Sequence, residues 1–153
     1  MALDDDIRIL SGVNLFKGFT PEQLRLLAFG AESLKLSAGR DLYRQEEPAD
    51  SAYVIARGRI VLYRERGEER IDIEHGGAGV ILGDLALIAE TTRLTSARAE
   101  VDTDLLRLNR KLFRRILEEY PDLAVMLHRR IVDELQAMAS RIGELAPRFG
   151  AEN

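Results

Sequence analysis

Between Ser33 and Asn109 the sequence breaks into short β-prone runs parted by turn signals, and this alternation constrains the fold more than any other feature. Turns are expected at Ala38-Gly39, Pro48-Ala49-Asp50, Arg57-Gly58, Arg66-Gly67 and Gly76-Gly77-Ala78-Gly79, which leaves segments of strand length between them. The strongest strand signals are AYVIA (Ala52 to Ala56), IVLY (Ile60 to Tyr63), IDI (Ile71 to Ile73) and LLRL (Leu105 to Leu108). Several are apolar on both faces, so the sheet they build is expected to be covered on both sides. Many short strands at this spacing predict a jelly roll. The glycine run at Gly76 to Gly79 reads as a hairpin turn. As a dinucleotide loop it fails, because the third glycine of GxGxxG would fall at Leu82 and no helix follows.

Helices are expected on either side of the roll. Thr20-Pro21-Glu22-Gln23 combines a capping threonine, a proline at the first helical position and a glutamine at the capping-box position, with the helix running to about Phe29. After Asn109 the pattern turns helical in KLFRRILEEY, and Pro121 opens a longer helix. Along it Ile131, Leu135, Met138, Ile142 and Leu145 recur four, three, four and three residues apart, a seam suited to a partner helix or to the domain's own roll. A homodimer through this helix is the expected assembly, and Pro147 and Gly150 are expected to end it. The predicted fold is therefore mostly β with flanking helices, an eight-stranded double-stranded β-helix followed by a long C-terminal helix. One domain is expected over 1–146, with N-terminal helices, a β-roll at 33–109 and C-terminal helices at 110–146, leaving 147–153 as a tail.

At 153 residues and 46% hydrophobic content the chain has the size of one ordinary globular domain. The absence of cysteine rules out disulfides, thiolate metal sites and a cysteine-held iron–sulfur cluster. MALDDD puts three aspartates where an export signal would carry basic residues, and no apolar run nears membrane-spanning length, so a cytoplasmic location is expected. A net charge of −4 argues against nonspecific DNA binding. Arg110, Lys111, Arg114 and Arg115 cluster, but with the spacing of a solvated helix face. His75 and His128 have no second histidine or cysteine at ligand spacing, so no metal is expected. No nucleophile with a histidine base stands in register, so no enzymatic activity is expected either.

The segment GVILGDLALIAETTRLTSARA, Gly79 to Ala99, concentrates the chemistry. Glycine lets backbone approach an anion, a carboxylate follows, a short apolar helical run begins, and one arginine returns ten residues after Gly83. On the residues alone, Arg93 reads equally as a surface arginine and Asp84 as a helix cap. Gly83-Asp84, Ala86-Leu87 and Arg93 resemble the phosphate-binding cassette of cyclic nucleotide-binding domains, in which the acid is usually glutamate. Leu10 to Leu145 as a whole is similar to the sensor half of the Crp/Fnr superfamily, through LFKGFTPEQLRLL, GRDLYRQEEPADSAYVIARGRIVLY, the cassette and RKLFRRILEEYPDLAVMLHRRIVDEL.

The resemblance implies a ligand, a cyclic nucleotide, and a set of roles. Arg93 would pair with the cyclic phosphate through its planar fork of donors. Asp84 would hold the ribose 2′-hydroxyl, from a carboxylate withdrawn by about 1.5 Å relative to glutamate. Gly83 would allow close approach, the amides of Leu85 and Ala86 would face the anion, and Leu94 and Thr95 would add an amide and a hydroxyl. Leu94 replaces the threonine that guanine-selective relatives tend to carry, so cAMP is preferred to cGMP. Met138 and Ala139 fall where relatives place hydroxyl residues on the long helix; Met138 could pack on the purine face without reading its edge. Glu46 stands at a common turn glycine, and Val80 at a common acid. The expected function is a regulatory, signal-transducing sensor domain in which binding moves the C-terminal helix. A ligand-free interaction or dimerisation module is the alternative. No helix-turn-helix fits after Ala146, so output is expected through a dimer or protein partner, or through a longer protein of which this is the sensor half, as in transcription regulation.

Overall fold

The computed structural model describes residues 2–150, and side chains over 3–144. Helix α1 (Ala2–Ser11), a 3-10 turn (Asn14–Phe16) and α2 (Pro21–Gly30) precede the strands. These are β1 (Glu32–Leu36), β2 (Asp41–Tyr43), β3 (Pro48–Ala49), β4 (Ser51–Arg57), β5 (Ile60–Arg66), β6 (Glu69–Gly76), β7 (Ile81–Leu82), β8 (Thr91–Thr92), β9 (Ser96–Ala99) and β10 (Thr103–Asn109). A second 3-10 turn (Asp84–Leu87) lies between β7 and β8, and α3 (Arg110–Glu119) and α4 (Pro121–Gly150) follow. Eight strands build two four-stranded antiparallel sheets, in the orders β1-β10-β4-β7 and β2-β9-β5-β6, while β3 and β8 form a separate two-residue ladder. The jelly roll expected from the turn spacing is present, with that ladder added.

Side-chain alternation explains why the first sheet reads as apolar throughout. Ala52, Val54, Leu106 and Leu108 join Leu10, Phe16, Leu27, Phe113 and Leu127 in a core beneath the helices. Their neighbours Ile55 and Leu105 point the other way, into a second core with Ile60, Leu62 and Ala97 inside the roll. Strand β6, at the far edge of the second sheet, is instead polar and mostly exposed. The capping box forms as expected: Gln23 N–H donates to Thr20 Oγ1 at 3.2 Å, and Thr20 N–H to Gln23 Oε1 at 2.8 Å.

Three expectations need correction. The glycines at 76–79 do not close a hairpin, because β6 pairs with β5 while β7 pairs with β4 in the opposite sheet. Gly79, at φ 90°, instead donates its N–H to the Ile55 carbonyl at 2.8 Å and carries the chain across the sandwich. Helix α4 runs through Pro147 to Gly150; proline removes one ladder donor and penalises the helix without ending it. Arg110 is not part of a solvated face. Its Nε and Nη2 donate to the carbonyls of Ala86 and Ala49 at 2.8 and 2.6 Å, tying α3 to the cassette. The apolar seam of α4 serves the domain's own interior along its first half, since Ile131 is fully buried and Met138 packs on the roll core. Ile142 is half-buried, and the side chain of Leu145 lies outside the described residues.

Candidate functional site

Arg93 is not a surface residue. Only 6% of it is exposed, and its guanidinium carbon sits 4.2 Å from the centre of the Tyr43 ring and 5.7 Å from that of Tyr53. Its Nε and Nη1 are buried without a hydrogen-bond partner, and no carboxylate among the described residues pairs with it. The β3-β8 ladder sets its position. Just beyond that ladder Arg93 N–H donates to the Glu47 carbonyl at 2.8 Å, and Glu46 N–H to the Arg93 carbonyl at 2.9 Å. Glu46 adopts φ 72°, the left-handed conformation that explains a glycine preference at this turn.

Gly83 has φ 71°, and a Cβ built on it would land on Nη1 of Arg93. A side chain is therefore excluded here by backbone conformation and by space together. The 3-10 turn that follows bonds Ala86 N–H to the Gly83 carbonyl at 3.1 Å. Ala86 thus has no amide to offer an anion, contrary to expectation, because the tighter i to i+3 pattern uses it. Gly83 stands at the N-cap of this turn, and Asp84 is the first residue within it. Its Oδ2 is shut off from solvent and has no partner. Burial pushes the Asp84 carboxyl up to about 9, helped by a hydrogen bond and charge from Glu134 of α4 and opposed by the amides of Asp84 and Leu85. Burial likewise holds the Tyr43 hydroxyl up at about 12, against the pull of Arg93 and a hydrogen bond with Thr95.

All eight residues singled out in the sequence, Gly83, Asp84, Leu85, Ala86, Arg93, Leu94, Thr95 and Met138, line one cavity of about 430 Å³. That volume suits a small molecule of nucleotide size. Leu62, Leu82 and Leu135 supply apolar wall. Sequence reasoning missed its polar rim. Glu134 and Arg141 of α4 and Glu74 of β6 also line the cavity, and Arg141 Nη1 pairs with Glu74 Oε2 at 2.7 Å. The available signal was helical spacing, since Glu134 and Arg141 lie four residues before and three after Met138. Among the described residues no cluster of His, Cys, Asp and Glu could hold a metal ion, and His75 Nδ1 lies 2.7 Å from Glu100 Oε1. No described helix is long and apolar enough to cross a membrane.

A two-sheet roll closed by helices, with a left-handed glycine and a buried unpaired arginine on one cavity wall, defines a small-anion receptor domain. Residues 33–120 match the cyclic nucleotide-binding domain, and the chain belongs to that family. The structure of a cyclic nucleotide-binding-like protein from Brucella abortus is 60% identical, covers 75% of this chain and 99% of its own, and superposes with a TM-score of 0.69. The regulatory domain of Toxoplasma gondii PKA, solved with cAMP, shares the fold at 22% identity and a TM-score of 0.75, covering 86% of this chain and 50% of its own. A lysophospholipase from Chaetomium globosum is 23% identical over 133 residues, 86% of this chain. The chain spans 9% of that relative's length.

Proposed function

We propose that the cavity binds a 3′,5′-cyclic nucleotide, cAMP, and that binding is relayed to α4. The observation that carries this reading is Arg93: a guanidinium with 6% exposure, two buried donors without partners, and Gly83 held against it. Burying a cation without an acceptor is costly, and a singly charged cyclic phosphodiester would supply two acceptors in the plane of the fork. Asp84 would then face the ribose hydroxyl, the Leu85 and Leu94 amides and Thr95 the phosphate side, and Met138 the purine face. Leu94 offers no hydroxyl to guanine, which favours adenine. Coupling would follow because α4 contributes Glu134, Leu135 and Met138 to the wall, so a shift of this helix would change what the ligand touches. The distal part of the same helix, from Ile142 onward, is the proposed surface for a second copy of the chain.

Calorimetry with cAMP on the wild type and on Arg93→Ala tests the reading. Two charge-assisted bonds at about 1.5–3 kcal/mol each predict a loss of at least about 100-fold in affinity. Absence of heat from the wild type at millimolar cAMP would remove the proposal and leave the ligand-free interaction module as the surviving alternative.

A further inference from the structure

A cation shut inside the roll needs something to hold it there, and among the described residues no carboxylate pairs with Arg93. Two tyrosines face it instead, one from each sheet. Tyr43 ends β2 of the second sheet, and Tyr53 lies within β4 of the first. Alternation along β4 sends Ala52 and Val54 to the core beneath the helices, and Tyr53 with Ile55 to the core inside the roll. Tyr43 stands opposite Ala97 in the ladder with β9 and belongs to that same inner core. The ring centres are 6.0 Å apart, and the Arg93 guanidinium carbon lies 4.2 Å from the Tyr43 centre and 5.7 Å from that of Tyr53.

Both rings are tied to the cassette. Tyr53 pairs with Leu82, the residue before Gly83, across the ladder with β7. The Tyr43 hydroxyl is engaged with Thr95, just after Arg93. An aromatic face attracts a cation through its quadrupole but lacks the lone pairs of a carboxylate. A carboxylate at this position would occupy the guanidinium donors, and an incoming anion would have to displace it. The rings hold the charge and leave Nε and Nη1 unbonded. Burial keeps the Tyr43 hydroxyl up at about 12, so at neutral pH Arg93 lies over a neutral phenol rather than a phenolate. Neither ring belongs to the cavity lining, so each can act on a ligand only through the arginine.

We propose that Tyr43 and Tyr53 are positioning residues for Arg93: in the ligand-free site they take the place of a counter-ion and hold the guanidinium where it receives the cyclic phosphate. The inference rests on the cyclic nucleotide reading above and names what keeps its arginine ready. Binding then spends none of its free energy on pulling Arg93 from a carboxylate or on ordering its side chain.

Calorimetry with cAMP, together with NMR of the ligand-free protein, tests this role. Tyr43→Leu should weaken binding about 10- to 30-fold, as expected for loss of a desolvated cation–π contact. Tyr43→Phe keeps the ring without the hydroxyl and should recover most of that loss, and Tyr53→Leu, at the longer distance, should cost less than Tyr43→Leu. The Nε–Hε resonance of Arg93, identified by its disappearance in Arg93→Lys, should lie upfield of the other arginines because of the ring current. It should stay there in Tyr43→Phe and move to the ordinary range in Tyr43→Leu. An ordinary Arg93 resonance in the wild type would overturn the inference without any variant having to fold. Undiminished cAMP affinity in a folded Tyr43→Leu would also overturn it, while leaving cyclic nucleotide binding intact. A silent wild-type titration would overturn that reading and this role with it.

Discussion

At the scale of single residues, Asp84 ties the site to stability. Its carboxyl is raised from 3.8 to about 9 in the folded chain. Between those values the folded protein keeps a proton that the unfolded chain has released, so this group's contribution is fully present below about 4 and is lost as pH rises toward 9. Urea midpoints at pH 6 and pH 9 should therefore fall further for the wild type than for Asp84→Asn, which has no proton to lose; equal falls would contradict the assignment. Gly83 and Arg93 were legible in the sequence because glycine, acid and arginine recur at a spacing that resembles a known cassette. Glu134 was not, since an exposed glutamate on a long helix looks like any other until the helix is laid over the cavity. The amide of Ala86 was misread for a different reason: sequence marks a helical start but does not separate an α turn from the 3-10 turn that uses up this donor.

At the scale of elements, the local signals held where partners lie within a few residues and failed where they lie far away. Thr20 and Gln23 close a box three residues apart, and α2 begins where they place it. Thr20→Ala should cost about 1 kcal/mol, measured as a shift in urea midpoint with an unchanged slope; a neutral substitution would mean that packing of α2 alone fixes its start. The run of glycines at 76–79 marks a break between strands but not a hairpin, because the strand that receives β7 is set by the hydrogen bonds of Ile55 with Gly79 and Val80, far from it in the chain. The β3-β8 ladder was illegible for the same reason: two residues on each side carry too little pattern, although they place Arg93. Pro147 was read as a terminator because its ring removes a donor, but one missing bond in a helix of 30 residues is a small fraction of its ladder.

Over the whole molecule, the architecture was readable because strand length and turn spacing leave few ways to cover apolar faces on both sides. The oligomeric state was not, because a heptad-like seam reads the same in sequence whether it meets its own core or a second helix. Ile131 and Met138 are consumed by the two cores of the same chain, which leaves Ile142 as the described seam residue for a partner. Ile142→Glu should therefore turn a dimer into a monomer in sedimentation velocity while preserving cAMP binding; a monomeric wild type would remove the dimer. The same helix is also fastened behind the cavity. Arg130 Nη1 donates to the carbonyls of Leu15 and Lys17 at 3.0 and 2.7 Å. Val13, Asn14 and Leu15 in turn form part of the cavity lining. The segment ahead of α2 and the helix that follows α3 thus meet at one cavity, joined by hydrogen bonds that span more than a hundred residues of chain.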